Sequence, residues 1–265
     1  MDMLSIIGVI AAVGLMIFGM SDSGGNLMQL INFYDVPSIA ITVGGTFASL
    51  MIMFPLKVFA ALPKMLIKIF KPQQFNLRDS VTEIVGIAHD ARKNGLLSLE
   101  ENLSDYKDEF LRKGIQLVID STDPESLREI MEAELGFMME RHKAGVSFFE
   151  KGATLAPGFG MLGTLVGLIN MLATMDDPDN LTRGMSIALV TTFYGSVLAN
   201  IIFLPMGNKL QKRSDEEVLC RQIAIEGIVA VVNRENPNQI REKLISYIPP
   251  SMRGTDKIKN KIKIN

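Results

Sequence analysis

Ala153-Thr-Leu-Ala-Pro-Gly-Phe-Gly-Met-Leu-Gly-Thr-Leu-Val-Gly-Leu-Ile-Asn170 and Gly184-Met-Ser-Ile-Ala-Leu-Val-Thr-Thr-Phe-Tyr-Gly-Ser-Val-Leu-Ala-Asn200 decide the fold. A helix that crosses a bilayer needs about 20 mostly apolar residues. Four stretches meet that need: Met3 to Met20, Val36 to Phe54, Gly152 to Thr174 and Gly184 to Met206. The last two carry threonine, glycine and proline, too polar and too finely packed for plain anchors. No carboxylate lies inside any of the four. A membrane protein that moves ions usually keeps a titratable group in its pathway. Either this chain moves nothing, or a partner brings the missing group.

The bulk composition agrees with a lipid setting. Of 265 residues, 48% are hydrophobic and 17 are Met, and mean hydropathy is +0.24. The net charge of -2 points to no nucleic-acid partner. The single cysteine, Cys220, excludes an intramolecular disulfide framework and reads as a small packed apolar residue. His89 and His142 stand far apart without cysteine partners, which argues against zinc. There is no phosphate-cradling glycine loop, nucleophile elbow or metal spacing. The expectation is therefore no enzyme, no catalytic residue, no metal and no cofactor. Gly44-Gly45 lies inside a span, where close packing explains it better than nucleotide binding.

Positive charge sets the orientation. Residues 21–33 hold no Lys or Arg, and residues 175–183 hold one, Arg183. Residues 56–151 hold 14 and residues 208–265 hold 12. The short loops therefore face outward, and the long middle segment, the tail and both termini are cytoplasmic. The first span has no basic residue before its apolar run and no small-residue cleavage site, so it reads as a retained helix.

The expected fold is all-α, with a helical cytoplasmic domain between the second and third spans. Its parts are a first transmembrane hairpin at 1–55, an interface helix at 56–71, the cytoplasmic domain at 72–151, a second hairpin at 152–207, and a helix with a disordered basic tail at 208–265. In 56–71, Lys57, Lys64, Lys68 and Lys71 form one stripe opposite a wide apolar face, with Pro63 placed to kink the helix. Two readings fit: a helix lying in the inner membrane surface, or a soluble helix buried in the cytoplasmic domain. Asn94-Gly95 stops one helix, and Asp123-Pro124-Glu125 starts another that has no strong stop before Gly145 and could run into the membrane. Residues 208–235 form a further helix ended by Asn236-Pro237. The tail is expected to be disordered from Arg253.

Small residues let helices approach closely in lipid. The third span offers Gly160, Gly163 and Gly167. The fourth offers Ala188, Thr192, Gly195, Ser196 and Ala199 on one stripe. A threonine in a span commonly bonds its own i−4 carbonyl. Thr164 and Thr192 also fit a hydroxyl-lined passage or a partner-binding face. Pro157, near the start of the third helix, and Pro205, near the end of the fourth, read either as boundary markers or as hinges.

Ala156-Pro-Gly-Phe-Gly-Met-Leu-Gly-Thr-Leu-Val-Gly-Leu168, Met175-Asp-Asp-Pro178 and Ala188-Leu-Val-Thr-Thr-Phe-Tyr-Gly195 closely resemble the MotA/PomA family of flagellar stator proteins. Asp35-Val-Pro-Ser-Ile-Ala-Ile-Thr-Val-Gly-Gly-Thr46 and Ala91-Arg-Lys-Asn-Gly-Leu-Leu-Ser-Leu-Glu100 match as well, in order along the chain up to the tail. The resemblance implies a multi-pass subunit of the bacterial inner membrane, acting in flagellar rotation and motility. It implies a ring of five such subunits around a MotB dimer, whose transmembrane aspartate binds the ion. It implies torque on the rotor protein FliG through Arg92 and Glu100, with Lys93 as a secondary contact. Thr164 and Thr192, with Gly160, Gly195 and Ala188 around them, become the ion-pathway and partner-helix face. Pro157 and Pro205 become the coupling prolines. The transported ion is expected to be the proton, with a sodium-driven PomA type as the alternative, since Thr164 resembles sodium-type members. A TolQ/ExbB-like energiser is disfavoured because such proteins have one span before the loop, where this chain has two. A structural scaffold without ion flow is the remaining rival.

Overall fold

The computed structural model describes residues 3–21, 27–71, 76–106, 108–173, 176–250 and 253. All regular elements among them are helical. Four helices are long and apolar enough to cross a membrane. The chain sorts into two compact units: Met1–Pro72 with Arg141–Lys212, and Gln73–Glu140 with Arg213–Asn265.

The first unit holds the apolar spans. α1 (Met3–Met20) buries no residue. At 1.5 Å per residue it reaches about 27 Å, close to the hydrocarbon thickness. A 3-10 helix (Leu27–Phe33) follows. The second span is α2 (Val36–Ile39), a π-helical turn (Ala40–Gly44) and α3 (Gly45–Met53) in series. Asp35 caps it by accepting the Ser38 N–H at 2.8 Å. Gly45 admits the ring of Phe159, whose Cδ1 lies only 2.4 Å from where a Cβ would stand.

α4 (Leu56–Phe70) continues as a helix through Pro63. Its Val58, Phe59, Leu62 and Met65 pack on a cluster of Leu50, Phe148, Phe149, Ala156, Ala199 and Phe203. Phe148 is the hub, with ring contacts to Phe54, Phe59, Phe149 and Phe203. α4 thus sits with the spans and not inside the second unit, while Leu56 and Ile67 stay exposed. Because Phe148 and Phe149 pack here, the structural cut falls after Glu140, where hydrophobicity alone had set it after Lys151.

The second unit is built from α5 (Leu77–Asn94), two 3-10 turns (Leu96–Glu100 and Leu103–Asp105), α6 (Glu109–Ile119), the first part of α7 (Pro124–Ala173), the end of α9 (Leu204–Val232) and α10 (Pro237–Ser246). α5 stops at Gly95, whose φ of 89° places it where other residues rarely go. Leu99, Ile115, Leu127, Ile223, Ile228, Ile240 and Leu244 are almost fully buried together. The helix expected at 208–235 ends at Val232, and α10 beyond it was not foreseen. Asn236-Pro237 is both a stop and a start: the Asn236 side chain accepts the Asn238 N–H at 3.1 Å and caps α10. Arg253, expected to open a disordered tail, donates to the carbonyls of Ile248 (2.7 Å) and Ser246 (3.1 Å). The rest of that tail lies outside the described residues.

Three elements of this unit meet at Glu226, well past the apolar stretch of the fourth span. Arg128 of α7 donates to it at 2.6 Å and Lys243 of α10 reaches it at 3.1 Å. The Arg128 hydrogen bond, reinforced by Lys243, outweighs desolvation and holds the Glu226 carboxyl below its ordinary value of 4.5. A depressed carboxyl stabilises fully above its unfolded pKa and loses that contribution as pH falls through the folded one. Glu226→Gln is therefore expected to destabilise this unit by about 1–2 kcal/mol near neutral pH. It should also flatten the loss of stability below pH 4.5. The chain has no Trp, so thermal unfolding followed by far-ultraviolet circular dichroism is the suitable measurement.

Candidate functional site

The third span is the C-terminal part of α7, and the fourth is α8 (Pro178–Val197) with the π-helical turn Leu198–Phe203 leading into α9. Their glycines set the spacing between them. A Cβ on Gly163 would lie 2.4 Å from Thr191 Cγ2. One on Gly167 would lie 2.6 Å from the Gly184 carbonyl oxygen, and one on Gly195 would lie 2.6 Å from that of Ala156. Real side chains do not approach so closely, so these backbones touch only because Cβ atoms are missing.

That approach brings two hydroxyls together. Thr164 Oγ1 lies 2.6 Å from Thr192 Oγ1, and 3.1 Å from the carbonyl oxygens of both Gly160 and Ala188. Thr192 Oγ1 also lies 3.1 Å from the Ala188 carbonyl oxygen. Each hydroxyl has one proton and two lone pairs. Whichever way the shared proton points, both oxygens keep a lone pair for a cation or a protonated acid. Each hydroxyl has its own i−4 carbonyl within 3.1 Å, but its single proton serves either that carbonyl or the neighbouring hydroxyl, and the pair lies toward the surface of the chain. Thr192 is exposed and Thr164 half-buried.

The other members of the expected face are placed differently. Gly160, Gly195 and Ala188 are buried between the two spans. They line no outer surface, and they act as the spacers that let Thr164 and Thr192 meet. The prolines also shift. Pro157 sits inside the 50-residue α7, not near a helix start. It lies beside Gly195, whose Cβ position is 3.2 Å from Pro157 Cα. Pro205 is not at a helix end either: it follows the π-helical turn, and the helix continues to Val232. Each ring removes one N–H from an otherwise continuous ladder.

A second hydroxyl line was missed. Thr191, beside Thr192, is fully buried and bonds the Ile187 and Ala188 carbonyls at 2.8 and 3.1 Å. Thr42 donates to the Thr191 carbonyl at 3.3 Å, Thr46 donates to the Thr42 carbonyl at 2.6 Å, and Ser38 reaches the Ile187 carbonyl at 3.5 Å. Ser38, Thr42 and Thr46 stand at i, i+4 and i+8, which puts them on one helix face. That spacing was the available signal. Just before the second span, the Tyr194 hydroxyl donates to the Phe33 carbonyl, and the Phe33 and Phe193 rings meet at 5.3 Å.

Arg92, Lys93 and Glu100 lie in the second unit, at the end of α5 and of the following 3-10 turn. All three are exposed, and none of their side chains is paired among the described residues. The Gly95 turn joins the two elements, and Leu97 of the second is 71% exposed. No group of acidic, histidine or cysteine side chains among the described residues could hold a metal ion.

The sequence profile of the MotA/TolQ/ExbB proton channel family matches residues 102–223. The chain is 39% identical over 250 residues to Motility protein A of Treponema phagedenis, covering 94% of this chain and 95% of that one. It is 35% identical to Chemotaxis protein PomA of Vibrio alginolyticus, covering 97% and 99%. Its fold matches a chain of the flagellar MotAB stator complex from Bacillus subtilis at a TM-score of 0.84 and 33% identity, covering 95% and 98%.

If glycine contact brings the hydroxyls together, cysteines replacing Thr164 and Thr192 in a Cys220→Ala background should form a disulfide under mild oxidation. Adding Gly195→Val should push the helices apart and lower the yield sharply. Peptide mapping under non-reducing conditions reads both.

Proposed function

The chain belongs to the Motility protein A family, and from that premise we propose how its parts share the work. It is a flagellar motor stator subunit that, with MotB, conducts ions across the membrane and converts ion-motive force into rotation. It is a multi-pass membrane protein of an ion-channel family, and its role in torque calls for no catalysis by the chain itself.

The finer assignment is ours. Five copies surround a MotB dimer in the inner membrane, with both termini cytoplasmic. The observation that carries the reading is the exposed Thr164–Thr192 pair on spans without a single internal acid. An Asp at mid-membrane costs about 2.5–3.5 kcal/mol on insertion scales. A hydroxyl pair with open lone pairs can share that burden once a MotB helix docks. The partner's aspartate supplies the charge, and Thr164 and Thr192 solvate it and its ion. Gly160, Gly195 and Ala188 hold the pair in place. Proton binding changes the fit of the aspartate against successive subunits, so each event favours the next rotational position. One elementary charge crossing 100 mV releases about 2.3 kcal/mol, so rotation against a load takes many such events.

The proton is the ion we assign, with sodium as the alternative. Pro157 and Pro205, at gaps in the helix ladders, are where the spans flex. Arg92 and Glu100, with Lys93 beside them, engage opposite charges on FliG. Their exposure and lack of partners among the described residues support that role.

Thr192→Val keeps shape but removes the outer hydroxyl. It should abolish swimming while membrane insertion and MotB co-purification stay intact; normal swimming would sink the ion-path role. The same assay at fixed proton-motive force, with and without sodium, should show no sodium requirement if protons drive the motor. Arg92→Glu should weaken swimming, and a matched charge reversal on FliG should partly restore it. Failure of every such pair would remove the rotor contact.

A further inference from the structure

A groove of about 280 Å³ opens between α1, the end of α4 and the stretch leading into α9. It is lined by Gly8 and Ala12 of α1, Phe70 of α4, and Ile201, Pro205 and Lys209. The lining is almost wholly apolar. A Cβ on Gly8 would meet nothing within 4 Å, and α1 buries no residue along its length. Within a bilayer an apolar groove does not stay empty, because filling it removes no hydrogen bond and gains dispersion contacts.

Depth and charge narrow the occupant. The lining residues Ser5 to Ala12 and Asn200 to Lys209 each extend along about 10–14 Å of helix. That is close to one leaflet of a bilayer core of about 30 Å. With the termini inside, it is the cytoplasmic leaflet. Lys209 is among the lining residues and brings a cation to the groove. Anionic lipids of that leaflet are drawn to basic residues near the membrane surface. We propose that the groove is a binding site for an anionic phospholipid, with one acyl chain along Gly8, Ala12 and Ile201 and the phosphate against Lys209.

The site has a further consequence. Pro205 leaves the Ile201 carbonyl without its usual i+4 donor, directly after the π-helical turn Leu198–Phe203. The lipid chain packs on that weakened stretch and braces it. The inference uses the inner-side orientation of Lys209 given above and needs no part of the stator assignment.

The test is native mass spectrometry of the complex with MotB, purified in detergent and exposed to phosphatidylglycerol or acyl-matched phosphatidylcholine. Wild type should retain phosphatidylglycerol in preference. Ala12→Phe, which fills the groove, should remove that adduct. Lys209→Gln should lower the preference about fivefold, the effect of one basic residue near an anionic surface. Equal retention of both lipids, unmoved by either substitution, would overturn the proposal. So would an Ala12→Phe complex that loses copies of the chain with its lipid unchanged, since a second copy would then occupy the groove. Motility is not read, so failure here and failure of the stator assignment are separate results.

Discussion

The contact between the third and fourth spans is the constraint on which the membrane unit depends. Hydrocarbon gives helices no hydrophobic reason to associate, so dispersion and interhelical hydrogen bonds must hold them. Both need short distances. Gly163, Gly167, Gly184 and Gly195 provide those distances, because each would place a Cβ inside a neighbouring atom. Once the backbones touch, the Ala188 carbonyl comes within reach of two hydroxyls from two helices. The polar pair is a product of the packing and not an addition to it.

The second span secures the same geometry from behind. Thr42 donates to the Thr191 carbonyl, one residue from Thr192. Thr191 points inward and Thr192 outward, since neighbours on a helix are about 100° apart. One span therefore presents a buried hydroxyl to its own chain and an exposed one to the outside. The buried line has its polar atoms paired with backbone carbonyls, which is what the low dielectric demands. The outer pair keeps spare lone pairs, which suits it to accept from a partner.

Much of this was legible from composition. The four spans, the helical character and the Gly95 stop follow from apolar runs and turn chemistry. Other features were hidden for specific physical reasons. Asn236-Pro237 ends one helix and begins the next, and the same residues serve both signals, so α10 passed unseen. The π-helical turns at Ala40–Gly44 and Leu198–Phe203 leave no compositional mark. Pro157 and Pro205 looked like boundaries because a proline interrupts the ladder, yet tertiary packing carries each helix through. Gly160, Gly195 and Ala188 were assigned to the outer face because small residues suit any close contact, and the sequence does not say with whom.

The absence of an internal acid is best understood against this packing. A carboxylate on either span would have to face the glycine seam, the buried hydroxyl line or the outer surface. The seam has no room for it, since even a Cβ does not fit at Gly163 or Gly195. The hydroxyl line would leave it unpaired, because Thr42, Thr46 and Thr191 already donate to carbonyls. Only the outer surface remains, and there a charge fixed to this chain would stay with one subunit. In the assembly proposed above, a charge carried by a partner helix instead meets the Thr164–Thr192 pair of each copy in turn. Spans without an acid of their own fit the proposal that a partner helix carries the charge.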